Sequence, residues 1–374
     1  MKDEGDISKE ISAAELFKPG AVGWVLAIIF IFIAGGLIWN VTRTLKQGRG
    51  KVLLGGPGAE VSEYGFDVSV SLVDRDLIVP SGISRDGLQT LDNPLAVAGS
   101  SVKAINKEMR GKFLVPGDRV IGVVINGQAR AWPLPVMNWH EVSNDTLGGT
   151  PIVVTYHPLC DSVRVFERTI EGEVLSFGVS GLLYNSNHLL FDRGAKGGHA
   201  SLFSPLRAQA ICGPAADRGV TLKTVPATLA RWSDWLSKHP DTTVVRGLAE
   251  QMGQSYKMNP YGVYYNSPTL KYPVEPTPPE DGPRAKERCV IVADGESRTV
   301  FTEKAIAALT GGAGEAPVPV GSRGLTFRYT PGEGAAIPVI AVLDENGEMA
   351  DGAYYALWFA WHAAFPGDPL YSSP

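Results

Sequence analysis

The sequence predicts an α+β fold, mainly β, carried behind a single amino-terminal transmembrane helix. Three observations lead there. Residues 21–41 form an uncharged apolar run. From about residue 68 onward, short β-branched stretches alternate with turn residues, and the hairpin pattern of residues 119–130 returns at residues 288–298.

The elements follow in chain order. Residues 1–20 are a polar tail closed by Pro19-Gly20. Residues 21–41, at about 1.5 Å per residue, reach roughly 30 Å, the thickness of a bilayer core. Trp24 and Trp39 lie near the two ends of this run, and Arg43, Lys46, Arg49 and Lys51 follow it. The run exceeds the ~7–15-residue core of a signal peptide and has an acidic segment where a signal peptide is basic, so it reads as an uncleaved anchor in a lipid bilayer. Lys2, Lys9 and Lys18 precede it, so the positive-inside count favours a cytoplasmic carboxyl side by a margin of one charge, which decides little. Residues 42–67 are a juxtamembrane linker.

A first β-rich lobe is expected over 68–260. Asn126-Gly127 between two apolar runs predicts a two-residue hairpin turn, because Asn-Gly supplies positive φ at both positions. Pro135 suits the first turn of a helix running to about Asp145, which places Glu141 and Asp145 on one helical face. Pro151 to Tyr156 is β-branched and reads as a buried strand. More strands are expected at 163–168, 174–179 and 189–191, and Leu229, Trp232, Trp235 and Leu236 give residues 226–238 a helical period. Six prolines between Pro268 and Pro283 make residues 261–284 an extended connector. Beyond it, 285–374 reads as a second β-rich lobe. Cys289 to Arg298 echoes Val120 to Arg130, residues 302–309 stand for the first helix, and residues 317–320 stand for 151–154, giving two repeated lobes.

Composition narrows the function. A net charge of −5 offers no basic field to phosphate backbones, so nucleic acid is not an expected partner. Three cysteines, Cys160, Cys212 and Cys289, are too few for a disulfide-stapled scaffold. No P-loop, dinucleotide fingerprint or haem-attachment motif occurs, so neither nucleotide nor haem is expected as a cofactor.

The chemistry concentrates in Asn138-Trp139-His140-Glu141 and Thr155-Tyr156-His157-Pro158-Leu159-Cys160, which bring two of six histidines and one of three cysteines together. His140, His157 and Cys160 are the candidate metal ligands, with Met137 one helical turn before His140. Imidazole with thiolate suits copper or zinc. A second reading uses Cys160 as the nucleophile of a hydrolase or transferase, with His140 or His157 as base and Glu141, Asp145 or Asp192 orienting it. A third is a non-catalytic interaction domain in a membrane complex, which a large exposed apolar patch would mark, and the tryptophans could line a ligand groove. Against all three stands ordinary burial, since lone cysteines and large aromatics most often fill cores.

These stretches resemble the uncharacterised prokaryotic family known as domain of unknown function 3179. The resemblance rests on Arg85-Asp86-Gly87 with Leu91-Asp92-Asn93-Pro94, on Asn138-Trp139-His140-Glu141 with Asn144-Asp145, and on Thr155-Tyr156 with Pro158-Leu159-Cys160. It extends through residues 177–186, Asp192-Arg193, Ser201-Leu202-Phe203-Ser204, Lys286-Glu287-Arg288 and Trp358-Phe359-Ala360-Trp361, covering roughly residues 80–372. It implies an exoplasmic body, secreted or tethered, and no established activity. The family commonly has Cys-Pro-Leu-Cys where this chain has His157-Pro158-Leu159-Cys160, so a local dithiol cannot form here.

Overall fold

A computed structural model describes residues 60–109, 112–194, 200–248, 256, 258–332 and 337–372. The predicted span at 21–41 lies outside the described residues. Among those described, no helix is long and apolar enough to cross a membrane.

The body is mainly β with short helices. Its first repeated unit is β1 (Arg119–Ile125), β2 (Gln128–Pro133), α1 (Leu134–His140), β3 (Val142–Leu147), β4 (Thr150–His157) and β5 (Ser162–Glu167). A further hairpin, β6 (Phe177–Tyr184) and β7 (Asn187–Asp192), leads to β8 (Thr228–Arg231) and α2 (Trp232–Lys238). The second unit runs β9 (Arg288–Asp294), β10 (Ser297–Thr302), α3 (Glu303–Leu309), β11 (Gly314–Val320), β12 (Arg323–Thr330), β13 (Val339–Leu343), β14 (Ala353–Leu357) and α4 (Trp358–Ala364). Both units therefore read hairpin, helix, three strands, then a strand followed by a helix that opens Trp-x-x-Trp.

The two units are interleaved. One seven-stranded sheet has the order β10-β9-β14-β5-β4-β3 with residues 91–92 at its edge, so three strands of the second unit join three of the first. The complementary set is β2-β1-β8 in a five-stranded sheet and β13-β12-β11 in a three-stranded one, with β8 packed beside β13. The exchange lets one core serve both copies, with Val120, Trp132 and Val154 buried against Val290, Phe301 and Phe327. A fourth sheet, built on β6 and β7 with residues 78–80, 202–204 and 209–212, covers the site described below.

Several local expectations change. The helix predicted to reach Asp145 stops at His140, because Glu141 takes a φ of 57° and the chain turns straight into β3. Glu141 and Asp145 are thus not helix neighbours; Asp145 sits in β3 and pairs with Arg130 at 2.8 Å. The segment 226–238 divides into a strand and a helix, as β8 completes the ladder beside β1. Residues 317–320 belong to β11, the counterpart of β3 and not of the strand 151–154; the Gly321-Ser322 turn and all of β12 follow them. The hairpin at Asn126-Gly127 has φ of 49° and 76°, as its turn chemistry requires. The segment 261–284 holds one short helix, at Gly262–Asn266, and lies across the first unit's site.

Candidate metal centre

Three pieces of backbone deliver the site. Glu141 occupies the corner between α1 and β3, where its N–H caps the helix at Met137 O (2.8 Å) and its carbonyl accepts from Tyr156 N (2.8 Å). His157 is the last residue of β4, where Pro158 ends the ladder because it has no N–H to give. His188 is the second residue of β7, just past the tight turn Asn185-Ser186, both residues of which have positive φ (49° and 63°).

These side chains converge. Glu141 Oε2 lies 2.8 Å from His188 Nδ1 and 3.3 Å from His157 Nδ1. Three ligand atoms, one from each residue, fall within 4.8 Å of one another, and the residues are only 4%, 3% and 2% exposed for Glu141, His157 and His188. Two donors bound to one ion at about 2.0–2.2 Å lie roughly 3 Å apart, so these spacings suit a shared cation.

The hydrogen bonds fix a tautomer. Ser186 O can only accept, so His157 Nε2 carries the proton that it donates there at 3.1 Å. In the neutral ring, Nδ1 then turns a lone pair toward the Glu141 carboxylate, a repulsion that a cation between them converts to attraction. A ring N–H anchored on a backbone carbonyl is also how metal-bound histidines are usually held. His188 Nε2 is buried without a hydrogen-bond partner.

Electrostatics point the same way. Burial works to raise the Glu141 carboxyl, but in the metal-free pocket the rings of His157 and His188, through Nδ1–H groups and ring charge when protonated, outweigh it and hold the group down to about 2. Burial lowers His188 below the ordinary histidine range, against the opposing pull of Glu141. At neutral pH the pocket therefore holds an ionised carboxylate beside a neutral His188, a buried charge that needs a positive partner, either a proton on His157 or a metal ion in its place.

The proline-rich segment closes the pocket. Ser186 Oγ donates to Tyr272 O (2.9 Å), Asn185 exchanges hydrogen bonds with Glu275 (2.9 and 3.0 Å), and Tyr265 OH donates to Pro158 O. Lys286 holds the same segment by donating to the carbonyls of Tyr264, Ser267 and Thr269 at 2.6–2.8 Å. Tyr261, Tyr272 and Lys271 lie within electrostatic reach of Glu141.

Of the residues singled out from sequence, His157 and Cys160 meet at one acceptor: Cys160 Sγ donates to Ser186 O at 3.2 Å. Cys160 is fully buried, and burial pushes its thiol far above the ordinary range. His140 is directed elsewhere, with Nδ1 at 2.5 Å from Gln89 O and Nε2 at 2.6 Å from Tyr256 OH, so both its nitrogens are engaged. Met137 is buried in the central core. Asp192 accepts from Ser201 N, and Cys212 and Cys289 are free, buried thiols. His188, 31 positions beyond His157, escaped the sequence reading because only the β6–β7 hairpin carries it back. The signal available was the turn Tyr184-Asn185-Ser186-Asn187, which implies such a hairpin.

Beside this pocket lies a second buried cluster. Asp161 accepts a bidentate pair from Arg119 (3.1 Å to each oxygen), a bond from Arg288 Nε (2.9 Å) and one from Tyr156 OH (2.9 Å). Arg119 and Arg288 are the first residues of β1 and β9, so equivalent positions of the two units share one carboxylate.

The fold and site together define a mainly β protein of two interleaved units with a buried carboxylate and two imidazoles under a proline-rich strap. The chain belongs to the family described as Protein of unknown function (DUF3179), which matches residues 85–368. Neither the curated proteins nor the solved structures contain a match.

Proposed function

We propose that Glu141, His157 and His188 bind one divalent transition-metal ion, and that this centre is the functional core of a membrane-tethered, exoplasmic accessory protein. The observation that carries the reading is the pair of imidazole nitrogens at 2.8 and 3.3 Å from one buried carboxylate oxygen. Two imidazoles and a carboxylate suit zinc or ferrous iron better than copper, whereas the imidazole and thiolate set expected from sequence suited copper or zinc alike. Such a three-ligand set leaves coordination positions open to a small substrate. The tether in this proposal is the apolar run at 21–41, and the exoplasmic placement follows from the family resemblance.

Elemental analysis after loading with zinc or ferrous iron is expected to give about one ion per chain for the wild type and a loss of at least about tenfold in affinity for His188→Ala and Glu141→Gln. The proposal fails if no stoichiometric metal is retained or if both variants bind as the wild type does.

The thiol-dependent enzyme is the other reading, and the burial of Cys160 weighs against it, since a nucleophilic thiol is exposed and of lowered pKa. Alkylation of Cys160 in the folded protein is accordingly expected to be slow and to become fast only in denaturant. Rapid labelling of Cys160 at neutral pH, read by peptide mass spectrometry, would reinstate the enzyme.

A further inference from the structure

Across β4 from the metal centre lies an open cleft of about 280 Å³, lined by polar and apolar groups in similar measure. It is a separate place: successive residues of a strand face opposite sides, so Tyr156 borders the cleft while His157 faces the triad. We propose that this cleft binds a neutral, hydroxyl-rich small molecule of monosaccharide size.

The cleft has a rigid aromatic wall. Tyr156, Tyr256 and Tyr265 line it, and each phenol is tied down, to Asp161 (2.9 Å), to His140 (2.6 Å) and to Pro158 O respectively. Their rings are therefore held in place and offer apolar faces at little entropic cost.

Polar side chains also line the cleft. Arg119 borders it, with its two terminal guanidinium nitrogens committed to Asp161. Asn259 uses its Oδ1 to accept from Tyr261 N (2.9 Å), which leaves its NH2 without an acceptor among the described residues. Asn138 lines the cleft with a side chain that makes no hydrogen bond among the described residues. The two asparagine side chains ask for a ligand that both accepts and donates hydrogen bonds, a description that hydroxyl groups meet.

Charge decides against an anion. The Arg119 guanidinium is neutralised by Asp161, Arg288 also faces Glu303 at 3.8 Å, and Asp118 borders the cleft. Those five groups sum to −1, so a phosphate or carboxylate ligand meets no net positive field.

The test is calorimetric titration of the purified full chain with D-glucose, D-galactose and N-acetyl-D-glucosamine, alongside inorganic phosphate and acetate. At least one sugar is expected to bind saturably, with affinity falling about tenfold or more in Asn138→Ala and in Asn259→Ala, the loss of one well-made hydrogen bond each. Asn259 is exposed, so its variant retains the fold. Binding is expected to survive EDTA, which separates this result from the fate of the metal centre. The proposal is overturned if none of the three sugars binds, if phosphate or acetate binds in their place, or if both variants match the wild type.

Discussion

Asp161→Ala is expected to cost about 3–5 kcal/mol of folding stability, because it strands the buried Arg119 guanidinium and takes from Arg288 the nearer of its two carboxylates. Asp161 is 3% exposed, and its side chain takes four hydrogen bonds, two from Arg119 and one each from Arg288 and Tyr156. Burial favours its neutral form, but Arg119 and then Arg288 outweigh burial and hold the carboxyl below its usual range. The position explains the size of the effect. Arg119 opens β1 and Arg288 opens β9, so one residue bonds the two interleaved units where they meet. Urea denaturation checks this, and Asp161→Leu combined with Arg119→Met and Arg288→Met should recover most of the loss by removing the stranded charges as well. A loss below about 1 kcal/mol for the single variant would put the cluster in the class of solvated surface pairs and refute the interpretation.

Acid is expected to destabilise the metal-free protein by roughly 3 kcal/mol through Glu141 alone. The carboxyl titrates at about 2 in the folded chain against 4.5 for the free group, and every tenfold change in proton affinity is worth about 1.4 kcal/mol. A depressed folded pKa means that the unfolded chain takes up the proton first. The stabilisation is complete above pH 4.5 and disappears as pH falls from there toward 2. His140 and His188, both lowered by burial, act in the same direction but at higher pH, starting near 6.5. Asp192, raised to about 6 chiefly by burial, acts oppositely, and stability falls as pH rises through the 4–6 range. Comparing wild type with Glu141→Gln isolates one group from the rest: the variant should lack the loss between pH 4.5 and 2. Parallel pH profiles for the two proteins would mean that Glu141 is not ionised against its histidines.

Residues 261–284 cross the pocket and are hydrogen-bonded to Asn185 and Ser186, so this segment contributes to the burial that acts on Glu141.

Local chemistry was readable from the chain alone. Asn126-Gly127 determined a hairpin turn, β-branched residues at 151–156 a buried strand, and the recurrence at 288–298 a second hairpin, since each depends on neighbours a few positions apart. His157 and Cys160, three residues apart around Pro158, both reach Ser186 O, while the candidate ligand group takes Glu141 and His188 with His157 instead of Cys160. What the sequence leaves undetermined is which faces meet. His140 and His157 are 17 positions apart, yet the positive φ of Glu141 turns the chain so that Glu141, and not His140, faces the β4 terminus. His188 reaches the same carboxylate only because the β6–β7 hairpin folds back over β4. The exchange of strands between the two units is likewise a tertiary fact: a strand's own residues fix that it is a strand, while its partner is chosen by the core that two distant segments bury together.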